Sequence, residues 1–310
     1  MIRGLRPTDA FAYAAFRRRT PVNAALARPD GYDAPLDARD FVGGVLSIDP
    51  RRRRWVHVAN GQIRGLAVVT SRFGADVWDI ERLFLTSSPE ATRVGVDLLN
   101  HVCTSAVEDG VQKVFLRLPE DSEVVLIARN AGFISYCSEL ILRRRTAEPS
   151  AITSVAGLRP RRRADHLGLF RLYCSVAPAF VRQAEAVTLQ EWRSADGWWR
   201  PPVDWRLPNR TDRVLPGNDG IRVWISTENR TRVLRVVSTC EDSALAWAAV
   251  SAELSRLGAH RPASVVLRDY QGCLLPGAEA LGFDLWTRHT LMVRQLAVRV
   301  PEPRLVPLRI

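Results

Sequence analysis

The chain carries one stretch of sequence twice, and this internal repeat constrains the fold more than any other feature. Residues 77–142 read as strand, turn, long helix, strand, short helix, Gly-Phe and strand, and residues 231–293 repeat that order. Three anchors fix the alignment between the copies, at offsets of 152, 151 and 150 residues. They are Thr86-Ser87 with Ser238-Thr239, Phe115-Leu116-Arg117 with Val266-Leu267-Arg268, and Gly132-Phe133 with Gly282-Phe283. A repeat this long indicates a duplicated domain, because the repeats of solenoid proteins are far shorter.

The two copies divide the chain into two predicted domains. Gly4-Leu5-Arg6-Pro7 is echoed by Gly157-Leu158-Arg159-Pro160, at an offset of 153 residues, so the second half is expected to begin at Gly157. The expected organisation is an N-terminal domain at 1–145, a linker at 146–156, a C-terminal domain at 157–298 and an extended tail at 299–310. The linker is polar, as segments between domains commonly are.

Local signals place the elements of the first copy. Val77 to Thr86 is rich in β-branched, aromatic and leucine residues, which favours a strand. Ser87-Ser88-Pro89-Glu90 is typical of a helix start, and an apolar stripe from Val94 to Ala106 follows at helical spacing. Val111 to Leu118 is the next predicted strand. A strand, a crossover helix and a second strand predict a parallel pair.

The residues before the repeated stretch indicate helices and a hairpin. The pattern predicts a strand at Ile2–Arg6, a helix from Thr8 or Asp9 to about Arg19 and a second helix at Leu36–Ile48. Asn60-Gly61 predicts a hairpin turn, because both residue types tolerate a positive φ.

The second half departs from the first between its predicted helix, Arg163–Glu185, and its predicted hairpin, Arg213–Ser226. Residues 192–219 form a long loop in this reading, and it carries Trp192, Trp198, Trp199 and Trp205. Long loops with several tryptophans usually pack on something. Two interpretations stay open: a lid or acceptor-binding segment, and a small core between the domains.

The composition is that of a globular chain with a strong bias to arginine. Hydrophobic residues make up 46% of the sequence, charged residues 25%, and the net charge is +11. Lys113 is the only lysine, and arginines form runs at Arg17–Arg19, Arg51–Arg54, Arg143–Arg145 and Arg161–Arg163. The runs lack the interleaved aromatic residues that stack on nucleic-acid bases. We therefore interpret them as solvated helix ends and linker edges, and we do not expect a nucleic-acid partner.

Cysteine usage and hydropathy point to the cytoplasm. The five cysteines are odd in number, widely spaced and never in a C-x-x-C pair, which argues against a zinc site or a disulfide scaffold. We expect no bound metal. No apolar run approaches the roughly 18 residues of a membrane span, and the N-terminus lacks the apolar region of a signal peptide. The oligomeric state cannot be inferred from these features.

The segment IERLFLTSSPEATRVGVDLL, residues 80–99, resembles the fourth strand and pyrophosphate loop of the GCN5-related N-acetyltransferase (GNAT) family. The endings NAGF at 130–133 and ALGF at 280–283 are similar to the close of that family's motif. The resemblance covers nearly the whole chain, twice. It implies an α/β (α+β) fold of two tandem GNAT-like domains, each a mixed central sheet flanked by helices.

The resemblance also implies a site for acetyl-CoA as co-substrate. In the family the fourth and fifth strands splay apart, the pantetheine arm lies in that wedge, and backbone N–H groups at the start of the next helix hold the pyrophosphate. The residues of the first copy that match are Leu83, Phe84 and Leu85 for the arm and Arg93, Val94, Gly95 and Val96 for the pyrophosphate. This loop is two residues shorter than the family's. The second copy has no glycine there, and Glu241 and Asp242 would repel phosphate.

The expected catalytic residue is Glu81, which matches a strand-four carboxylate that family members use to deprotonate the attacking amine. The family's tyrosine acid falls on Ala128 in the first copy and Ala278 in the second. General acid catalysis contributes about 10²–10⁴-fold, and water can return the proton, so the substitution does not by itself exclude acyl transfer.

Two functions stay open at this point. The first is an acyl-CoA-dependent N-acyltransferase that acts on a small-molecule or peptide amine, with the N-terminal domain as the active copy. The alternative is a catalytically inactive tandem scaffold that binds a ligand or a protein. Fold likeness alone does not choose between them.

Overall fold

The computed structural model describes residues 1–19, 24–26, 36, 41–42, 45–46, 52–71, 77–144, 154–185, 210–258 and 261–297. Several sequence predictions lie wholly or mostly outside these residues. They are the helix at Leu36–Ile48, the linker at 146–156, the tryptophans of the loop at 192–219 and the tail at 299–310.

Twelve strands are seen in the described part of the chain, six in each half. Those of the first half are β1 (Ile2–Gly4), β2 (Arg52–Ala59), β3 (Gln62–Ser71), β4 (Val77–Leu85), β5 (Lys113–Pro119) and β6 (Ile134–Arg144). Those of the second half are β7 (Arg159–Pro160), β8 (Arg210–Gly217), β9 (Gly220–Glu228), β10 (Val233–Ser238), β11 (Ala263–Arg268) and β12 (Asp284–Gln295).

Seven α-helices lie in the same ranges. They are α1 (Ala10–Arg19), α2 (Ala91–Glu108), α3 (Val124–Asn130), α4 (His166–Val176), α5 (Ala179–Glu185), α6 (Ser243–Arg256) and α7 (Leu275–Ala280). Short 3-10 helices precede α1, α4 and α7, at Pro7–Asp9, Arg163–Asp165 and Asp269–Leu274. The single helix predicted at Arg163–Glu185 is broken into α4 and α5, because Ala177 is extended before Pro178.

The repeat appears in the structure as the same order of elements in each half, and the predicted fold class is confirmed. Strands β4 and β5 are parallel, from Val77 opposite Lys113 to Ile80 opposite Leu116, as the crossover pattern predicts. Strands β10 and β11 are parallel in the same way. Both Gly-Phe endings close a helix identically: Gly132 and Gly282 have φ of 78° and 74°.

All twelve strands belong to one continuous sheet, in the order β1-β2-β3-β4-β5-β12-β6-β11-β10-β9-β8-β7. The last strands of the two halves are therefore exchanged: β12 lies between β5 and β6, and β6 lies between β12 and β11. Each of these contacts is antiparallel. Neither half closes its sheet with its own last strand alone.

Helices cover both faces of this sheet. On one face, α2 and α3 bury a core around Leu98, Leu99 and Phe133, and α6 and α7 bury a second core around Trp247 and Phe283. On the other face, α1 packs over β2 and β3. Helices α4 and α5 of the second half cover Phe115 and Tyr136, which belong to strands of the first half. The two halves thus share their packing as well as their sheet.

The starts of the two halves correspond at a different offset from the one the sequence suggested. Arg3 makes a two-pronged ion pair with Asp9, with N···O distances of 2.6 Å, and Arg159 makes the same pair with Asp165 at 2.7 Å. These pairs set Arg3 against Arg159, whereas the Gly-Leu-Arg-Pro echo set Arg6 against Arg159. The alignment of the two Gly-Leu-Arg-Pro segments is therefore wrong, because the feature that both halves share is the arginine–aspartate ion pair and not the glycine.

Cysteine usage is also corrected by the structure. Cys240 and Cys273 form a disulfide, while Cys103, Cys137 and Cys174 are free. The sequence argument against disulfides considered spacing only, and these two residues lie 33 positions apart, Cys240 shortly before α6 and Cys273 in the 3-10 helix before α7. No helix in the described ranges is long and apolar enough to cross a membrane.

Candidate active site

Strands β4 and β5 separate beyond their fourth residue pair and form a wedge in the first half. Pairing ends at Ile80 and Leu116, but β4 continues to Leu85 and β5 to Pro119. The carbonyl oxygens of Leu83 and Arg117 each accept a hydrogen bond from residues 24–26, which lie at the opening between the strands. This is where the resemblance places the pantetheine arm.

Glu81, the expected base, lies on β4 at the start of this separation. Its side chain is about nine-tenths buried, and Oε2 lies 2.9 Å from Nη2 of Arg52 on β2. The ion pair fixes the position of the carboxylate. The sequence analysis missed this contact of Arg52, since nothing in the chain spacing links positions 52 and 81.

Residues 24–26 of the chain itself cross the wedge. The N–H of Ala24 donates to the carbonyl oxygen of Leu83 at 2.9 Å, and the N–H of Leu26 donates to that of Arg117 at 2.9 Å. Ala25, between them, is fully buried and belongs to the core cluster that contains Leu83. These residues lie between the two helices that the sequence analysis predicts before Asn60, and that analysis gave them no role.

The side chains of the three expected arm-binding residues divide between the two faces of β4. Leu83 is fully buried on the face covered by α2. Phe84 is buried on the opposite face, against Tyr13 and Phe16. Leu85 is half-buried and packs against α2.

The expected pyrophosphate residues lie in the first turns of α2. Arg93 is exposed and lies 3.5 Å from Glu90. Val94 is buried, and Val96 is half-buried against the same core. Gly95 faces inward, where a Cβ would lie 2.6 Å from Cγ2 of Ile127, so its missing side chain allows α2 and α3 to approach closely.

The corresponding wedge of the second half is bridged by a side chain. Gln271 is buried; its Nε2 donates to the carbonyl oxygen of Val236 on β10 at 3.0 Å, and its Oε1 accepts from the N–H of Arg268 on β11 at 3.1 Å. The Cys240–Cys273 disulfide joins the segments that follow these two strands. The wedge is therefore closed by a hydrogen-bonded bridge and by a covalent bond.

Acidic groups also occupy the start of α6 in the second half. Asp242 is the residue before that helix, and it is ion-paired with Arg222 and accepts a hydrogen bond from Thr239 at 3.3 Å. A carboxylate already fills the helix N-terminus, where a phosphate would otherwise be stabilised. Glu241 beside it is exposed.

Ala128 and Ala278, at the positions of the family's tyrosine acid, are both fully buried. Each carbonyl oxygen accepts the N–H of the phenylalanine in the following Gly-Phe pair, at 3.0 Å in both halves. These alanines are therefore core residues that help to end α3 and α7. No proton donor stands at either position.

A cluster of charged groups lies where the halves join. Nε of Arg117 lies 2.9 Å from Oε2 of Glu139, and Nη2 of Arg268 lies 3.5 Å from Oε1 of Glu139 and 3.1 Å from Oε1 of Glu185. Burial would raise the pKa of Glu139, but Arg117 and Arg268 outweigh it and hold that pKa at about 2. His289 pairs across the sheet with Glu139, and burial lowers its pKa to about 4. Sequence analysis missed this cluster, whose members come from five separate elements.

Several members of the arginine runs have ion-pair partners. Arg53 pairs with Asp109 and lies over the ring of Trp78, and Arg161 lies 3.6 Å from Asp212. These contacts give both arginines a structural role within the fold. Among the residues described, no three His, Cys, Asp or Glu side chains come together as a metal would require.

The architecture is similar to that of several solved acetyltransferases, one of them described as a tandem protein. A tandem GNAT protein from the clavulanic acid biosynthesis pathway matches with a TM-score of 0.50 and 14% identity, over 95% of this chain and 98% of that one. A putative acetyltransferase from Pyrococcus horikoshii matches with a TM-score of 0.51 and 11% identity, over 96% and 90%. A GCN5-related N-acetyltransferase from Sphaerobacter thermophilus matches with a TM-score of 0.51 and 14% identity, over 95% of each chain.

No protein-family model matches the sequence, and no curated protein matches it. At these identities the likeness concerns the fold, and it extends over both halves at once. The resemblance read from residues 80–99 is thereby confirmed: the chain has the tandem fold of the GCN5-related N-acetyltransferases.

Proposed function

We propose that this protein is an acyl-CoA-dependent N-acyltransferase that transfers an acetyl group from acetyl-CoA to a small-molecule or peptide amine. The first half is the active copy. The observation that carries the proposal is Glu81, a carboxylate fixed by Arg52 at the point where β4 and β5 separate. A positioned base beside a wedge is what amine acylation needs.

Each half has a different part in this proposal. In the first half, the backbone of Leu83 to Leu85 would hold the pantetheine arm, and the start of α2 with Arg93 would hold the pyrophosphate. Glu81 would accept the proton of the attacking amine. Water would return a proton to the leaving thiolate, since Ala128 has no proton to give. The second half would bind no acetyl-CoA, because Gln271 and the disulfide close its own wedge, and its part would be to complete the shared sheet.

Calorimetry with acetyl-CoA on the full chain, followed by an acyl-transfer assay on a panel of amines, tests the proposal. Glu81→Gln should leave acetyl-CoA affinity within about threefold of wild type and reduce kcat by 10²-fold or more. The matched control is Glu241→Gln, an exposed acid near the second wedge, which should change neither quantity. If wild-type protein shows no heat of binding with millimolar acetyl-CoA, the enzyme proposal fails.

One observation favours the alternative, an inactive scaffold. Both wedges are bridged by the chain's own groups, the first by Ala24 and Leu26 and the second by Gln271. A scaffold would bind neither acetyl-CoA nor an amine, and Glu81→Gln would leave all its binding unchanged. The same titration therefore separates the two functions.

The cytoplasm stays the expected compartment. Disulfides are rare in the cytoplasm of most organisms, so the Cys240–Cys273 bond argues against this compartment. A localisation experiment would test the expectation.

A further inference from the structure

We infer that residues Ala24 to Leu26 are a displaceable plug: they occupy the place of the acyl donor's arm and must leave the wedge before it binds. This inference rests on the proposed function, because it describes how the same site is kept closed.

The hydrogen bonds of the plug are those an arm would make. An extended ligand binds an exposed strand through the main-chain groups of that strand. Here the N–H of Ala24 already occupies the carbonyl oxygen of Leu83, one of the expected arm-binding residues, and the N–H of Leu26 occupies that of Arg117 across the opening. The segment thus bonds to both of the strands between which the arm would lie.

Burial of Ala25 shows how deep the plug lies. Its side chain is fully buried, and it belongs to the same core cluster as Leu83, Leu118 and Ala128. These three residues belong to the two wedge strands and to α3. The methyl group of Ala25 therefore fills space between the strands, and an arm cannot enter while it is there.

The plug is held by contacts of a kind that can be exchanged. Its described attachments to the wedge strands include two backbone hydrogen bonds and the buried methyl group of Ala25. When only a fraction of the protein is in its binding-competent state, the apparent affinity for the ligand is reduced by that fraction. Weakening the plug should accordingly strengthen acetyl-CoA binding, and this distinguishes it from a structural element.

Proline substitutions remove one hydrogen bond at a time, because proline has no N–H. In Ala24→Pro and Leu26→Pro we expect the affinity for acetyl-CoA to rise about fivefold, the change that corresponds to one net hydrogen bond. Glu241→Gln, an exposed acid outside the first wedge, keeps the plug intact and is the control, with an affinity within about twofold of wild type. Adenosine 3′,5′-bisphosphate lacks the arm, so its affinity should be the same in all four proteins.

Amide hydrogen exchange on the unmodified chain gives a second test that needs no variant. Saturating acetyl-CoA should accelerate exchange at the N–H groups of Ala24 and Leu26 at least tenfold, and adenosine 3′,5′-bisphosphate should not. If acetyl-CoA binds while both amides stay protected, the plug is refuted and the proposed function stands. If the wild type shows no binding at millimolar acetyl-CoA, the proposed function fails, and the segment is a permanent part of the core.

Discussion

At the scale of single residues, the pair Glu139 and His289 shows how burial sets charge at the join between the halves. They face each other across β6 and β12, and two arginines of β5 and β11 keep Glu139 ionised. For His289 burial prevails: it lowers the pKa, and Arg117 lowers it further, while Glu139 and Asp121 raise it only in part. The folded protein therefore holds a carboxylate and a neutral imidazole side by side.

Acid should destabilise the protein through His289 before Glu139 responds. A base whose folded pKa is lowered from 6.5 to about 4 contributes stability fully above pH 6.5, and loses it as pH falls toward 4. Glu139, with a folded pKa of about 2, begins to lose its contribution only below about pH 4.5.

Urea unfolding between pH 6.5 and 4.5 measures the effect. Over this range the wild type should lose roughly 2–3 kcal/mol through His289. His289→Gln should remove most of that slope. His101→Gln is the control: burial also lowers the pKa of His101, but not by a large amount, so this variant should change the slope much less. An unchanged slope in His289→Gln would mean that the histidine is protonated in the folded state.

At the scale of elements, the contact between α2 and α3 explains the surviving glycine of the predicted phosphate loop. Gly95 is on the inner side of α2, and a Cβ there would come within 3.1 Å of Leu85 as well as 2.6 Å of Ile127. The sequence analysis attributed Gly95 to phosphate binding. Close helix packing accounts for the same residue, and the two roles make different predictions.

Gly95→Ala should lower the free energy of unfolding by about 1–3 kcal/mol, because an added methyl overpacks the contact with Ile127. Gly272→Ala is a suitable control, since a Cβ there meets nothing within 4 Å and the residue has no positive φ. Chemical unfolding of both variants checks this. If Gly95→Ala is as stable as wild type but loses acetyl-CoA binding, the glycine belongs to the phosphate site.

At the scale of the whole molecule, the exchange of β6 and β12 joins two repeats into one body. Strand β5 of the first half pairs with β12 of the second, and β11 of the second pairs with β6 of the first. A half by itself would leave β5 or β11 without its neighbour. Exposed strand edges of this kind lead to aggregation or to new pairing.

The two halves should therefore fail to fold separately and should complement each other. We expect residues 1–145 and 157–298, expressed alone, to aggregate or to lack a cooperative unfolding transition. Co-expressed, they should form a single one-to-one complex with the amide protection of the intact chain. Size-exclusion chromatography and hydrogen exchange measure both. A soluble monomer of 1–145 with cooperative unfolding would show that each half can close its own sheet.

The sequence by itself determined the duplication, the order of elements and the fold family. These follow from local chemistry: Asn60-Gly61 turns a hairpin because both residues adopt positive φ, and Gly132 and Gly282 end helices for the same reason. The hydrophobic periods of β4, α2 and β5 are likewise local, so the parallel crossover could be predicted.

Tertiary structure alone decided which strand closes which half, and what fills each wedge. The sequence pattern of β6 and that of β12 fit either position beside β5, so no local signal distinguishes an exchanged pair from two separate sheets. Ala24 to Leu26 look like ordinary loop residues, yet a small side chain and two N–H groups let them pair with Leu83 and Arg117, far along the chain. The disulfide has the same origin: Cys240 and Cys273 become neighbours only because β10 and β11 lie side by side.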